Sequence, residues 1–236
     1  MTTIPETTEE ALHTPAGLLL AIRQISQWGL DLLFPPQCGN CGRVDVGWCA
    51  SCTTLLTNMA LNPQQIALAD NVTTLSGGLH TDILRNALHN LKYLNQRQIA
   101  PLLATRLADI FGHIPHKPDF ITCVPMHPKK RAQRGYNQAD LIAQPFAHLV
   151  NIPYLPDALI RTKETISQVG LSAEQRHENM QDVFKVHSEQ IRGKIGVIVD
   201  DVLTTGATLK ECATALLDGG ASAVVGMTIT RASDRS

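Results

Sequence analysis

The chain has 236 residues, 44% of them hydrophobic, which is enough to build one large domain or one domain with a small module. The net charge of −1 and the aromatic content of 4% give no sign of the global basic field or the stacking platform of a nucleic-acid binder. No apolar run of about 18 residues occurs, so the sequence contains no candidate for a membrane-spanning helix.

The N-terminal segment is expected to lie outside the main domain. Residues 1–15 contain Thr, Glu and Pro and predict a disordered extension. Residues 16–36 carry apolar side chains at a mostly helical spacing that ends at Pro35 and Pro36, which predicts an amphipathic helix. We expect this helix to pack against the protein rather than to lie on a membrane. The polar, acidic N-terminus has no long apolar core, so we expect no secretory signal and a reducing, cytoplasmic location.

Four cysteines form the first strong motif. Cys38, Cys41, Cys49 and Cys52 are spaced Cys-x2-Cys, seven residues, Cys-x2-Cys, and four thiolates at such a spacing can surround one tetrahedral Zn²⁺. Two disulfides or a chance group of thiols are the alternatives, and the reducing location favours the metal. Because all four ligands come from the protein, the sequence predicts a structural zinc module over residues 37–60.

The rest of the chain alternates between helical and strand patterns. These predicted elements are an irregular or strand-containing stretch at 57–76, helices at 83–91 and 99–111, a strand at 120–124, a helix at 136–150 kinked by Pro145, a strand within 152–160, a capped helix at 172–180, and strands at 183–187, 195–199 and 223–229 with a helix from Ala207. Alternation of this kind predicts an α/β fold with a mainly parallel sheet flanked by helices, in a domain over residues 72–236. The isolated Cys123 and Cys212 are predicted to be buried thiols.

The most informative stretch is the strand-to-helix connection at 195–209. Its apolar run ends in Asp200 and Asp201, two like charges that require a cation or several hydroxyl donors. A hydroxyl-rich turn follows, in which Gly206 lets the backbone approach a ligand closely, and the N–H groups at the start of the next helix suit a phosphate. These features predict a site for a phosphorylated sugar, and an ordinary connection capped by a threonine is the alternative.

The full sequence of this connection closely resembles the phosphoribosyl-pyrophosphate (PRPP) loop of type I phosphoribosyltransferases. The resemblance implies that Asp200 and Asp201 hold the ribose 2- and 3-hydroxyls of PRPP, which binds with Mg²⁺. It also implies that the turn holds the 5-phosphate. The PRPP-binding residues predicted in this way are Asp200, Asp201, Val202, Leu203, Thr204, Thr205, Gly206, Ala207 and Thr208.

A basic segment follows the strand predicted at 120–124. It carries four cations within positions 129–134, and a solvated surface loop is its plain interpretation. Its place after a strand end makes it a candidate for the pyrophosphate side of the PRPP site, because cations stabilise the charge on departing pyrophosphate. The residues predicted on this side are Val124, Pro125, Met126, His127, Lys129, Arg131 and Arg134. The catalytic candidates are Asp200, Asp201, Lys129 and Arg131.

Several motifs together resemble the ComF family, also called the GntX or amidophosphoribosyltransferase-like family. In chain order they are the four-cysteine module, Leu91-Lys92-Tyr93, Val124-Pro125, Arg134-Gly135-Tyr136-Asn137-Gln138, the set Arg161, Gln168, Arg176 and Asn179, and the acidic loop. The resemblance covers residues 30–232. It implies a type I phosphoribosyltransferase-like domain and a role in natural competence, the uptake of external DNA, or in the use of DNA as a nutrient.

The expected function is therefore a PRPP-binding protein linked to DNA uptake. If it is an enzyme, a nucleophile displaces pyrophosphate from the ribose C1 carbon, and the sequence does not name that acceptor. The alternatives are a PRPP sensor without chemistry and a protein that handles single-stranded DNA through its phosphates. DNA-uptake proteins and a second copy of the chain are further expected partners.

Several other side chains allow two interpretations. Lys92 is more readily a surface lysine than a ligand contact. His127 suits acid–base chemistry and a structural hydrogen bond equally, and Asn137 is expected to hold the loop backbone or to cap the following helix. The candidates for a mobile lid over the site are Arg161, Gln168 and Arg176.

Overall fold

The structure, a computed structural model, describes residues 35–69, 71–114, 116–162 and 183–232. The predictions that lie outside these ranges are the extension at 1–15, nearly all of the helix at 16–36, the capped helix at 172–180, and the lid candidates Gln168 and Arg176. Contacts within the chain divide it into two compact units, residues 1–49 and residues 50–236.

The described part of the first unit is a tight chain reversal. Gln37 and Val44 form an isolated antiparallel bridge, and the N–H of Cys38 donates to the carbonyl of Arg43 at 2.7 Å. Gly42 adopts a φ of 75°, a left-handed conformation that suits glycine. The reversal holds the first cysteine pair of the motif on one short turn.

The second unit contains six helices and seven strands within the described residues. They are α1 (Ala50–Asn58), β1 (Gln64–Ala69), β2 (Val72–Ser76), α2 (Asp82–Tyr93), α3 (Ala100–Ile110), β3 (Phe120–Cys123), α4 (Pro128–Arg134), α5 (Gln138–Val150), β4 (Leu159–Arg161), β5 (Phe184–Val186), β6 (Ile195–Leu203), α6 (Ala207–Asp218) and β7 (Ala223–Arg231).

Five strands form one sheet in the order β1-β2-β7-β6-β3, and β4 pairs with β5 separately. β1 is antiparallel to β2, whereas β2, β7, β6 and β3 run parallel to their neighbours. Helix α6 packs against one face beside Ile198 and Val224, and α3 and α5 contact each other and the strands. This arrangement confirms the predicted mainly parallel sheet flanked by helices.

Strand β6 lies deep in the core of the second unit. Val197, Ile198 and Val199 are fully buried, as expected for a strand covered on both faces. Gly196 is required by packing, because a Cβ at this position would lie 2.4 Å from the ring of Phe120 on the neighbouring strand. Burial of this strand fixes the position of the polar residues at its carboxyl end.

A buried arginine joins three chain segments near the same end of the sheet. The guanidinium of Arg106 donates to the carbonyls of Met59, Ala60 and Gly77 at 3.1, 3.0 and 2.9 Å. Burial lowers the pKa of Arg106, and these carbonyls offset the loss of water around its charge. The contacts tie α3 to the end of β2, where α2 begins after a short connection.

Two local predictions were wrong. The basic segment is the helix α4 rather than a loop, because Pro128 starts it at a permitted position and Gly135, with a φ of 83°, ends it. The acidic pair lies within β6 rather than beyond it. The strand continues to Leu203 because β7 supplies partners as far as Arg231, so Val202 and Leu203 are strand residues and not part of a turn.

Candidate functional site

The acidic pair stands at the carboxyl end of β6, inside the sheet. Asp200 lies opposite Thr228 of β7, and one of its carboxylate oxygens accepts the N–H of Asp201 at 2.8 Å. Asp201 is only 5% exposed. The fold therefore holds two adjacent carboxylates in a place where water solvates them poorly.

Lys92, in the last turn of α2, supplies the counter-charge. Its Nζ lies 2.5 Å from Oδ2 of Asp201, with side chains 21% and 7% exposed respectively. The favoured interpretation of Lys92 as a surface lysine was therefore wrong. The two residues are far apart in sequence, so only the tertiary fold reveals the pair.

The carboxyl group of Asp200 is held in surroundings that disfavour its charged form. Burial, together with the neighbouring charge of Asp201, raises the pKa of Asp200 to about 8. The positive charge of Lys92 lowers this pKa and so opposes part of the rise. A carboxyl group in this state is poised to lose its proton when a cation or a set of hydroxyl donors arrives. One ammonium for two carboxylates leaves room for such a partner.

The turn after β6 leads directly into α6. Gly206 is the residue before the first helical position and has a φ of 77°, which an L side chain adopts only with strain. The side chains of Thr204, Thr205 and Thr208 are exposed, and Oγ1 of Thr205 accepts the N–H of Ala207 at 3.4 Å. Exposed hydroxyls and the first N–H groups of a 12-residue helix form a suitable cradle for an anion.

The basic segment begins where β3 ends, beside β6. Nδ1 of His127 accepts the N–H of Lys129 at 3.2 Å and so caps α4. Asn137 does both things expected of it: its Nδ2 donates to the carbonyl of Val124 at 3.0 Å, and its Oδ1 accepts the N–H of Ala139 at 3.1 Å. Asn137 thus fixes the end of β3 against the start of α5.

A cleft of about 190 Å³, here called the inner cleft, brings the acidic and basic elements together. Its lining residues are Lys92, Tyr93, Val124, Pro125, Met126, Lys130, Arg134, Asn137, Gln138, Arg161 and Asp200. Four of the predicted pyrophosphate-side residues, those at 124–126 and Arg134, therefore share a space with one acid of the pair. The predicted lid residue Arg161 borders the same space.

Two further clefts adjoin the inner cleft. The outer cleft, of about 510 Å³, is lined by Lys92, Tyr93, Asn95, Lys130, Gln133, Arg134 and Tyr136. A third cleft of about 630 Å³ includes Pro125, Met126 and Arg131. Lys129 is exposed on α4 and borders none of the three, and His127 does not line them either. Sequence reasoning overlooked Lys130 and Tyr93 as lining residues, although both lie within motifs it had singled out.

The two isolated cysteines are buried thiols, as predicted. Cys123 is 3% exposed and Cys212 is fully buried, and burial raises the pKa of Cys123 to about 12. The hydroxyl of Tyr154 lies 3.3 Å from Sγ of Cys123 and donates to Asp140 at 2.6 Å. A thiol of this kind is protonated near neutral pH and is a poor nucleophile.

The four motif cysteines form a cluster that fits a metal ion. Their Sγ atoms all lie within 4.8 Å of one another, and those of Cys41 and Cys49 are 3.6 Å apart. Four sulfurs at about 2.3 Å from a tetrahedral Zn²⁺ are separated by roughly 3.8 Å. The N–H of Cys49 also donates to Sγ of Cys38 at 3.4 Å, as backbone N–H groups around metal-bound thiolates do. The six cysteines of the chain form no disulfide, so the alternative of two disulfides was wrong.

No helix among the described residues is both long enough and apolar enough to cross a membrane. Comparison with protein families matches residues 89–234 to the phosphoribosyl transferase domain. This region contains the acidic pair, the turn, the basic segment and Lys92.

Curated relatives carry names that refer to DNA and competence. The chain is 32% identical over 183 residues to "Competence protein F" of Haemophilus influenzae, covering 75% of this chain and 76% of the relative. It is 36% identical over 142 residues to "DNA utilization protein YhgH" of Escherichia coli K12, covering 58% of this chain. The match spans 62% of the length of that relative, slightly less than two thirds.

Solved structures of phosphoribosyltransferases resemble this chain distantly. One is an adenine phosphoribosyltransferase from Thermoanaerobacter pseudethanolicus, with 19% identity, a TM-score of 0.38, and coverage of 62% of this chain and 73% of that chain. Another is the glutamine PRPP amidotransferase of Bacillus subtilis, with 20% identity, a TM-score of 0.38, and coverage of 55% and 26%.

Proposed function

We propose that this chain, which belongs to the phosphoribosyl transferase domain family and within it to the ComF competence proteins, binds PRPP with Mg²⁺ at the carboxyl end of β6. The observation that carries the proposal is the inner cleft, where Asp200 lines the same space of about 190 Å³ as Arg134 and Arg161. A carboxyl group and several cations around one space match a ligand that carries both hydroxyl donors and a pyrophosphate.

Each part of the ligand has a matching part of the site. The ribose hydroxyls donate to Asp200 and Asp201, whose shared charge requires donors or a cation. The 5-phosphate accepts from the residues at 204–208 and from the first N–H groups of α6. The pyrophosphate lies against the residues at 124–134, where the exposed Lys129, Lys130 and Arg131 and the half-buried Arg134 supply positive charge.

Mg²⁺ suits the acidic edge because carboxylate oxygens and water are its preferred ligands. Asp200 and Asp201 would hold it, with water between, and loss of the Asp200 proton leaves a net negative charge for it beside the single ammonium of Lys92. When bound, Mg²⁺ neutralises charge on the pyrophosphate oxygens. The side chains of the chain itself position the sugar and keep the pyrophosphate facing α4.

If the protein turns PRPP over, a nucleophile forms a bond to the ribose C1 carbon as the C1–O bond to pyrophosphate breaks. The electron pair leaves with the pyrophosphate, where Lys130 and Arg134 of the inner cleft and Arg131 of the adjoining third cleft stabilise the negative charge. Positioning supplies most of the rate, because the leaving group is already good. A sensor that binds PRPP without turnover uses the same contacts and lacks only an acceptor.

We also propose that the four-cysteine cluster binds a structural Zn²⁺ in a module over residues 37–60, and that the phosphoribosyltransferase-like domain covers 72–236. Four protein thiolates leave no open position for a substrate. A thiolate metal site in place of disulfides is typical of a reducing compartment and supports the expected cytoplasmic location. The names of the relatives support a role in competence or in the use of external DNA.

Calorimetry with PRPP and Mg²⁺ tests the central proposal. The wild-type protein is expected to bind, and the double variant Asp200→Asn, Asp201→Asn is expected to lose about tenfold to a thousandfold in affinity, since two charge-assisted contacts disappear. Asp218→Asn, at the far end of α6, is the matched control and keeps its affinity. Equal binding by the wild type and the double variant contradicts the ribose contacts.

The second candidate function, contact with single-stranded DNA, is favoured by the outer cleft. Tyr93 is 65% exposed there, with the guanidinium of Arg134 5.3 Å from its ring centre, and exposed aromatics beside cations stack on bases. Fluorescence anisotropy with a labelled oligonucleotide tests it. Binding should weaken steeply with salt and should fall in Tyr93→Ala. Salt-independent binding that Tyr93→Ala leaves unchanged excludes this face.

A further inference from the structure

Lys92 occupies a position that the PRPP proposal leaves unused. Its ammonium contacts Asp201 at 2.5 Å, which is the carboxylate proposed to hold a ribose hydroxyl. The same side chain lines both the inner and the outer cleft. Lys92 therefore stands between the acidic pair and the cations of α4.

A ligand cannot use Asp201 fully while Lys92 holds it. A ribose hydroxyl that donates to Oδ2 must replace an ammonium that already forms an ion pair with this nearly buried oxygen. Freeing the ammonium inside a poorly solvated space is costly unless it finds another anion. Lysine has a flexible four-carbon stem, and the adjoining clefts give its end group space to move toward α4.

A sugar phosphate with an anionic group on the ribose C1 carbon offers the ammonium a new partner. The pyrophosphate of a 1-pyrophosphorylated ribose, as placed in the proposed function, lies between Asp200 and Arg134 in the inner cleft, which Lys92 lines. Ribose 5-phosphate lacks this group, so it displaces Lys92 from Asp201 without giving the ammonium a new anionic partner. The free energy lost when the Lys92–Asp201 pair breaks is thus offset by PRPP and not by ribose 5-phosphate.

We infer that Lys92 is a specificity-determining residue that exchanges Asp201 for the pyrophosphate of the ligand and so selects PRPP over ribose phosphates lacking a pyrophosphate. The inference rests on the proposed function. It predicts that removal of the ammonium has opposite effects on the two ligands. A lysine with a purely structural role would change both affinities in the same direction, through its effect on the fold.

The test uses calorimetry of the full chain with three probes: PRPP with Mg²⁺, ribose 5-phosphate, and inorganic pyrophosphate with Mg²⁺. The variant is Lys92→Met, which keeps the stem and removes the charge. Lys130→Met is the matched control, because Lys130 lines the same two clefts but forms no ion pair with a carboxylate of the described residues. Lys92→Gln replaces Lys92→Met if the methionine variant fails to fold.

We expect Lys92→Met to weaken PRPP and pyrophosphate binding about tenfold, the size of one lost charge-assisted contact. Ribose 5-phosphate should bind several-fold more tightly, because its competitor at Asp201 has gone. Lys130→Met should weaken PRPP binding without strengthening ribose 5-phosphate binding. The affinity for PRPP relative to that for ribose 5-phosphate is therefore expected to fall in both variants. Tighter binding of ribose 5-phosphate should occur only in Lys92→Met.

Parallel changes for PRPP and ribose 5-phosphate in Lys92→Met, with PRPP binding intact in the wild type, overturn the inference alone. Absence of PRPP binding in the wild type overturns the proposed function and this inference with it. A gain for ribose 5-phosphate that also occurs in Lys130→Met shows general relief of charge in the clefts and likewise overturns the role of Lys92.

Discussion

The four-cysteine cluster and the acidic pair both place ionisable groups of one kind side by side, and they resolve the resulting repulsion differently. The sulfurs all lie within 4.8 Å of one another, a geometry that fits a metal ion. The carboxylates do not converge: Asp200 accepts a backbone N–H, and Asp201 meets Lys92. A cluster without its ion is incomplete, whereas a pair with its own ammonium can stand empty and exchange that ammonium for a ligand.

The largest expected effect comes from removing the metal from the cluster. Structural Zn²⁺ sites carry on the order of 10 kcal/mol of folding free energy, so chelation or Cys49→Ser should unfold the region around the cluster. Metal analysis and circular dichroism measure the outcome. Cys212→Ala, which removes a buried thiol outside the cluster, is the control and should retain the metal. Freshly purified reduced protein with well below one zinc per chain would contradict the assignment.

A smaller effect is expected from Gly206→Val at the acidic edge. The φ of 77° strains any L residue, and a Cβ at this position would lie 2.5 Å from the end of the Leu68 side chain. We therefore expect the unfolding free energy to fall by about 2–3 kcal/mol. We also expect the affinity for PRPP to fall. Chemical denaturation and calorimetry measure the two losses. Gly112→Val is the control, because Gly112 is exposed with nothing within 4 Å of its Cβ position. Equal losses in Gly206→Val and Gly112→Val would show that the turn at Gly206 has no special role in stability or in PRPP binding.

The smallest effect is a dependence of stability on pH. The pKa of Asp200 lies near 8 in the folded chain against an ordinary value of 3.8, so between these values the folded state binds more protons than the unfolded state. Stability therefore falls as pH rises from about 4 to 8. Asp200→Asn should lessen that fall by about 1 kcal/mol or more, as measured by urea unfolding at pH 5 and pH 8. Identical pH dependence in the variant would show that Asp200 ionises normally.

Local sequence patterns predicted the parts of the site that depend on neighbours along the chain. The apolar run of β6, the turn at Gly206 and the helix after it are set by burial and backbone conformation within a few residues. The cap at Asn137 is local in the same way. The cysteine spacing likewise identifies the candidate ligand set from neighbours along the chain.

Long-range features escaped the same reasoning. Lys92 has the appearance of an ordinary helix-end lysine until α2 places it against Asp201, and no local pattern encodes that meeting. The extension of β6 through Val202 and Leu203 depends on partners from β7, which the propensities of two acids do not favour. The helix α4 was a missed local signal, because Pro128 and Gly135 stand at the positions where short helices begin and end.

The continuation of β6 through both acids has a geometric consequence. Successive side chains of a strand leave it in opposite directions, so Asp200 and Asp201 approach the sheet edge from above and from below. A molecule that contacts both side chains must therefore reach both faces of the sheet at the carboxyl end of the strand. Insertion of a single residue before Asp200 would exchange the faces to which the two acids point, so their register in the strand matters as well as their number.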